Sequence, residues 1–168
     1  MAGAVVYPAS GATWTATRGG GAFLDGRPVR VNASPGLAMA LVATGFGYAA
    51  ERRARQAEIL RVVLPQVRDV RRAGAASLDL CALACGRIDA YYEQGLKPWD
   101  LAAGGLVAAE AGALVGGLRG RPAGEALVVA CAIRRFRIGK EKAAVLPVPV
   151  WAAPMTSRPA STTGIASA

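Results

Sequence analysis

The chain has 168 residues, a length that favours one domain, and 53% of them are hydrophobic, which predicts a packed core and excludes wholesale disorder. Lys and Arg number 20 against 11 Asp and Glu, so the formal net charge is +9. The sequence has no histidine, which excludes Ser-His-Asp chemistry, Cys-His chemistry and His-ligated zinc within this chain. Any acid, base or ligand chemistry therefore falls to carboxylates, three cysteines or backbone amides.

The first third of the chain is typical of short β-strands. Residues 3–8 and 12–17 are β-prone and are joined by a Pro-Ala-Ser-Gly turn, which predicts a hairpin. Asp25-Gly26 separates two further apolar runs and predicts a second hairpin. A short buried strand is expected over residues 41–44, followed by an amphipathic helix over residues 49–67.

The central part of the chain alternates between strand and helix patterns. A strand is expected over residues 67–71, and Gly74 then opens a helix whose apolar positions follow a 3.6-residue period. Pro98 begins a second helix, which runs to about Ala111. This alternation predicts an α/β fold. The remaining strands are expected over residues 88–92, 114–115 and 127–131.

Composition also predicts the domain limits and the cellular setting. Residues 1–137 form the expected domain, and residues 138–168, rich in Pro, Ser and Thr, form a loosely ordered tail. No secretory signal is visible, and the longest uncharged stretch, residues 31–50, contains Asn32 and Pro35 and makes a poor membrane span. These features predict a soluble, cytoplasmic chain that does not bind a membrane.

The basic residues and the cysteines carry weaker signals. Short arginine clusters at residues 52–55, 71–72 and 134–137 lack interleaved aromatic residues, so they favour solvated faces over a nucleic-acid-binding module, which remains the less favoured alternative. Cys81, Cys85 and Cys131 lie in apolar runs and are odd in number. They predict buried thiols in a reducing compartment rather than disulfides.

The most informative segment is residues 89–104. Asp100 falls in the first turn of the helix that Pro98 begins, where the helix dipole stabilises a carboxylate. In α/β folds this position lies near the strand ends, where ligands bind.

This segment resembles the inositol monophosphatase family of Mg²⁺-dependent phosphate monoester hydrolases. Residues 99–104 match its Trp-Asp-x-Ala-x-Gly signature, and residues 72–79 look like its Gly-Ser/Thr-Ala-Ala segment at a helix start. Residues 20–28 are similar to its Gly-x-Gly-Ala-hydrophobic-Asn-Gly-x-Pro hairpin. The resemblance implies the C-terminal portion of that family's layered α/β (α+β) fold, with the N-terminal part missing.

The resemblance also implies roles for individual residues. Asp100 corresponds to a carboxylate that ligates a catalytic metal ion and lies close to the substrate, and Glu93 to the acid that hydrogen-bonds a polyol hydroxyl. Gly74, Ala75 and Ala76 correspond to the turn that lines the substrate. A hard oxygen ligand suits Mg²⁺, and amides at a helix start favour anions. The implied substrate is a small phosphorylated polyol or sugar, and the implied assembly is a homodimer.

The departures from the family pattern predict an incomplete site. The family's other metal ligands, a Glu and an Asp-Pro-hydrophobic-Asp-Gly-Thr loop, have no counterpart here, and two-metal hydrolysis needs a cluster of carboxylates. We therefore expect a truncated phosphomonoesterase with no complete catalytic set, which binds Mg²⁺ weakly or not at all and is inactive by itself. The alternative is a non-catalytic structural or partner-binding remnant of the fold.

These assignments predict a specific geometry. Glu93 and Asp100 should converge on one cleft, with residues 74–76 at its wall, while Asp79 should face away from the site towards solvent or a cap. The first hairpin should leave Val5 and Phe23 partly uncovered.

Overall fold

A computed structural model describes residues 1–33, 36–117 and 121–132, so the predicted tail over residues 138–168 and the basic cluster at residues 134–137 lie outside the described residues. Nine strands in two sheets and three α-helices occur within these ranges. Two short 3₁₀ helices, Leu37–Met39 and Leu64–Gln66, complete the regular structure. The elements in chain order are β1 (Ala2–Tyr7), β2 (Ala12–Thr17), β3 (Gly21–Leu24), β4 (Arg27–Pro28), β5 (Leu41–Thr44), α1 (Ala50–Val63), β6 (Asp69–Arg71), α2 (Ala76–Ala84), β7 (Ala90–Glu93), α3 (Pro98–Glu110), β8 (Leu114–Gly116) and β9 (Val128–Cys131).

The first sheet is antiparallel and contains β1, β2, β3 and β4 in that order, which confirms both predicted hairpins. Asp25 and Gly26 have φ angles of 49° and 77°, so both turn residues take the left-handed conformation that an Asp-Gly hairpin requires. The Asp25 carboxylate also accepts a hydrogen bond of 2.8 Å from the backbone N–H of Thr13. Beyond β4, the chain leaves the sheet, and Val31 N–H bonds the carbonyl of Ala111 at 3.1 Å.

The second sheet is mixed and has the order β6-β5-β7-β9-β8. Strand β5 pairs in parallel with both β6 and β7, whereas β9 runs antiparallel to β7 and to β8. The crossovers through α1 and α2 produce the parallel part, as the alternating sequence pattern predicts. The carboxyl ends of β5 and β7 therefore meet at one edge of this sheet.

Helices α2 and α3 lie between the two sheets and form most of the core. One apolar cluster joins Val5 and Trp14 of the first sheet to Cys81 of α2 and Val107 of α3. A second cluster joins the other side of these helices to the second sheet. Helix α1 covers the opposite face of the second sheet through Ile59 and Val63. Helices α2 and α3 are apolar in composition, so the pair can be buried on two sides, with one sheet against each side. This packing produces the layered α/β arrangement.

Two sequence expectations are corrected by this packing. Val5 is buried rather than uncovered, because α2 and α3 pack against its face of the first sheet, while Phe23 is half-buried. The helix predicted over residues 49–67 ends as an α-helix at Val63, and a 3₁₀ turn follows, because Pro65 lacks the N–H that an α-helix needs. The prediction of buried cysteines is confirmed for Cys81 and Cys131, whereas Cys85 is half-buried.

Candidate functional site

Glu93 lies at the end of β7, at the edge where the two parallel strands finish. Its Oε2 accepts a 2.7 Å hydrogen bond from the Tyr91 hydroxyl, and the two side chains share one face because they are two residues apart on a strand. The carboxylate also lies directly against the backbone of Gly45, the residue that follows β5, so that a methyl group at Gly45 would overlap it. Glu93 is thus held by both parallel strands.

The surroundings of Glu93 shift the pKa of its carboxyl group in opposing directions. Burial raises the pKa of its carboxyl group above the ordinary value, and the negative charge of Asp100 acts in the same direction. The Tyr91 hydrogen bond and the positive charge of Arg72 oppose this rise in the pKa. Arg72 lies with its guanidinium carbon 5.8 Å from the centre of the Phe46 ring, at the rim of the same edge.

Asp100 is the third residue of α3, and its carboxylate turns back to the start of that helix. Oδ2 accepts a 2.8 Å hydrogen bond from the backbone N–H of Lys97, while the Asp100 N–H donates to the Lys97 carbonyl at 3.0 Å. This arrangement satisfies a backbone donor that would otherwise lack an intrahelical partner. The charge of Asp100 acts on both Glu93 and Tyr91, so the structure brings Asp100 and Glu93 to the same part of the molecule.

The turn at residues 74–76 precedes α2 and adjoins this edge through Arg72. Gly74 has a φ angle of 90°, a conformation that favours glycine, and open space surrounds it. Ala75 is extended, and its carbonyl accepts hydrogen bonds from the N–H groups of Leu78 and Asp79 at 3.0 Å. The helix starts at Ala76, as the sequence predicts for a helix that opens at Gly74.

The expectation that Asp79 faces away from the site is wrong. Its side chain is only 3% exposed, it accepts a hydrogen bond from the backbone N–H of Ala73, the charge of Glu93 acts on it, and its own charge acts on Tyr91. Burial raises the pKa of Asp79 to about 6, and the negative charge of Glu93 adds to the rise. The physical reason is periodicity: Asp79 follows Ala75 by four residues and therefore lies on the same face of α2 as the turn.

Several residues at this edge were not predicted from the sequence. The sequence pattern predicts only a strand at Tyr91, although its spacing of two from Glu93 places both side chains on one face. Gly45 has no local sequence signal, because its closeness to Glu93 arises from strand pairing. Arg52, predicted as part of a solvated cluster, places its side chain against the backbones of Gly47 and Gly95.

The residues present do not make a complete magnesium site. Mg²⁺ prefers six oxygen ligands in octahedral geometry, usually one or two carboxylates with waters and substrate oxygens. In residues 1–33, 36–117 and 121–132, no group of three or more acidic or Cys side chains is placed to hold a metal ion. Asp100 is the sequence-predicted ligand, and one of its oxygens already caps α3.

An open groove lies elsewhere on the described residues. It has a volume of about 890 Å³ and runs along the second hairpin to the end of α3, with Phe23, Arg30 and Glu110 among its lining residues. Glu110 holds one wall in place, because its carboxylate accepts hydrogen bonds from the N–H groups of Gly19 and Gly21 at 3.0 and 3.1 Å. The groove does not include Glu93 or Asp100.

The layered arrangement of two sheets around a helix pair is that of an α/β protein. The family profile described as "Inositol monophosphatase family" matches residues 1–145, and the chain belongs to that family. The solved structure of Mycobacterium tuberculosis SuhB is similar, with a TM-score of 0.71 and 49% identity over 79% of this chain and 54% of that chain.

Two curated relatives carry different functional names. The inositol-1-monophosphatase SuhB of Mycobacterium tuberculosis strain ATCC 25618 / H37Rv is 52% identical over 136 residues, which cover 79% of this chain and 47% of the relative. The Nus factor SuhB of Vibrio cholerae is 45% identical over 114 residues, or 67% of this chain and 43% of the relative. The chain therefore spans about half the length of the curated relatives that it matches. Separately, none of the helices in the described part of the chain has the length and apolar character to cross a bilayer.

Proposed function

We propose that this chain forms the substrate-binding part of a Mg²⁺-dependent phosphomonoesterase that acts on a small phosphorylated polyol, with inositol phosphate as the model substrate. The observation that carries the proposal is the position of the Glu93 carboxylate at the carboxyl edge of β5 and β7, against Gly45, where the charges of Asp100 and Arg72 act on it. Membership of the inositol monophosphatase family supports the reaction class. In α/β proteins, ligands bind at this edge of the sheet.

The proposed roles follow from the chemistry of each group. The Glu93 carboxylate accepts hydrogen bonds from polyol hydroxyl groups, which suits a half-buried acid beside a buried tyrosine. The backbone N–H groups at the start of α2 favour the phosphate, aided by the positive charge of Arg72. Asp100 would contribute one ligand to Mg²⁺, which supplies charge neutralisation of the phosphate when bound.

We propose further that the chain is silent as a catalyst by itself, because phosphoryl transfer depends on positioning and on electrostatic stabilisation by several ligands. With Mg²⁺ and inositol 1-phosphate, the chain should release phosphate no faster than its Asp100→Ala variant. Turnover that depends on Mg²⁺ and disappears in Asp100→Ala would contradict this part of the proposal.

Binding tests the substrate site independently of turnover. Calorimetry with inositol 1-phosphate and Mg²⁺ should detect binding that Glu93→Gln weakens by roughly tenfold or more, the loss expected for a hydrogen bond to a charged group. Glu58→Gln, which alters an exposed carboxylate on α1, is the matched control and should leave the affinity unchanged. Equal affinities of the Glu93→Gln and Glu58→Gln chains would favour the alternative of a non-catalytic, partner-binding domain.

A second candidate is a role with nucleic acid, favoured by the Nus factor name of the Vibrio cholerae relative and by the net charge of +9. Most of the excess basic residues lie outside the described ranges, and two of the described arginines are engaged internally. Arg52 lies against Gly47 and Gly95, and Arg53 donates to the carbonyl of Tyr48. RNA binding at 150 mM salt with a steep salt dependence would establish this candidate.

A further inference from the structure

Tyr91 is fully buried in the core cluster of the second sheet. Its hydroxyl is the one polar atom of a large apolar side chain, and a buried hydroxyl needs a partner. That partner is Oε2 of Glu93 at 2.7 Å. Burial and the neighbouring negative charges of Glu93, Asp79 and Asp100 raise the pKa of Tyr91 well above its ordinary value, so the phenol stays protonated and always donates.

Glu93 has little freedom to leave this bond. The backbone of Gly45 lies directly behind the carboxylate, where any side chain would overlap it. The loop that contains Gly45 is itself fixed from the other side by Gln56, which is 6% exposed on α1. Its amide donates to the Gly45 carbonyl at 3.3 Å, and its oxygen accepts from the Gly47 N–H at 2.9 Å.

The two oxygens of the Glu93 carboxylate therefore differ in their hydrogen bonding. Oε2 is taken by Tyr91, whereas Oε1 receives no hydrogen bond from any residue in the described part of the chain. A carboxylate oxygen has two lone-pair directions, so Oε1 can accept from a ligand hydroxyl without breaking the bond to Tyr91.

We propose that Tyr91 is a positioning residue: its hydroxyl, with the bare backbone of Gly45, fixes the Glu93 carboxylate so that Oε1 is presented to a polyol hydroxyl. This inference rests on the proposed function for what Oε1 binds, but the orientation of Glu93 can be measured without a ligand. A side chain held in its bound rotamer loses less conformational entropy on binding, so Tyr91 adds to affinity without touching the substrate.

The test compares Tyr91→Phe with Tyr92→Phe in the full chain. Phe retains the buried ring, so Tyr91→Phe removes only the donor, and Tyr92→Phe is the matched control on the opposite face of β7. The carboxyl carbon of Glu93 is followed by NMR through a pH titration. Because the Tyr91 hydrogen bond lowers the pKa of Glu93, its removal should raise that pKa, whereas Tyr92→Phe should not change it.

A second readout is the affinity for inositol 1-phosphate with Mg²⁺, which Tyr91→Phe should reduce roughly fivefold and Tyr92→Phe less than twofold. If the wild-type chain does not bind the ester, the proposed function fails, and the titration alone decides the positioning role. An unchanged Glu93 pKa in Tyr91→Phe overturns the inference even if the wild-type chain binds. If Tyr91→Phe does not fold, Gly45→Ala replaces it, and a Glu93 carboxyl resonance and pKa identical to wild type in that variant would equally overturn the inference.

Discussion

Asp79 shows how one buried carboxylate can make stability depend on pH. Its pKa of about 6 lies above the ordinary value of 3.8, because burial disfavours the charged form and Glu93 repels it. The folded state therefore holds the Asp79 proton more tightly than the unfolded state does. The stabilisation is complete below about pH 4 and is lost as the pH rises through about 6, a difference of about 3 kcal/mol at most.

We expect Asp79→Asn to raise the free energy of unfolding at pH 7.5 by about 1–3 kcal/mol, because the amide oxygen can still accept from Ala73 and no charge is buried. The gain should shrink near pH 4. Urea unfolding at pH 4, 5, 6 and 7.5 measures both quantities, with the exposed-site variant Glu58→Gln as the control. A gain that is constant over this pH range would rule out the ionisation of Asp79 as its cause.

Asp100 also has a structural role that any functional mutagenesis must separate from ligand binding. Because its carboxylate accepts from the Lys97 N–H, Asp100→Ala should lower the free energy of unfolding by about 1 kcal/mol. Asp100→Asn retains an acceptor and should cost less. Thermal or urea unfolding of the two variants compares them, and equal stabilities of Asp100→Ala and wild type would show that the cap contributes nothing.

At the scale of elements, the contact between α2 and α3 explains why the Trp-Asp-x-Ala-x-Gly motif ends in glycine. A methyl group on Gly104 would lie 3.0 Å from the Cα atom and 3.1 Å from the carbonyl oxygen of Ser77. The two helices therefore approach backbone to backbone at this point. This crossing fixes where the first turn of α3 lies relative to the start of α2.

Adjacent glycines in α3 provide a matched pair for testing this contact. Gly104→Ala should reduce the free energy of unfolding by about 1–2 kcal/mol, because the backbone of Ser77 must shift. At Gly105, the nearest atom to an added methyl is the end of the Leu101 side chain at 3.1 Å, which can rotate away. Gly105→Ala should therefore be neutral or stabilising through its better helix propensity. Two variants of equal stability would refute the close contact as the reason for Gly104.

Patterns among neighbouring residues in the sequence predicted most helices and strands. They could not predict which residues distant in the sequence come into contact. The Asp-Gly turn, Pro98 at a helix start and the alternation of patterns correctly predicted hairpins, α3 and an α/β fold. For the candidate site, Glu93 and Asp100 were predicted from the resemblance to the family motif. Gly45 and Asp79 were not, because the position of Gly45 against Glu93 depends on parallel pairing of β5 with β7, and that of Asp79 on the packing of α2.

At the scale of the whole molecule, β1 is an edge strand whose outer face is free of charge. Val6 is 58% exposed and Tyr7 is 41% exposed on this strand. Exposed apolar edges promote association between sheets. We expect Val6→Lys to increase the solubility of the chain and to reduce self-association in sedimentation experiments, with Thr15→Lys in the inner strand β2 as the comparison. A larger effect of Thr15→Lys would show that the edge is not the source of association.

The hydrogen bond between the Trp14 indole N–H and the Cys85 sulfur, at 3.1 Å, ties the first sheet to α2. Thiols quench indole fluorescence on contact, so Trp14, which is 3% exposed, should emit weakly and at short wavelength. Trp99, next to Asp100, is 77% exposed and should emit at long wavelength. In a Trp151→Phe chain, one emission spectrum would then report on two places: the long-wavelength emission of Trp99 at the start of α3, sensitive to any ligand beside Asp100, and the weak short-wavelength emission of Trp14, which should brighten and shift to longer wavelength when the first sheet separates from α2.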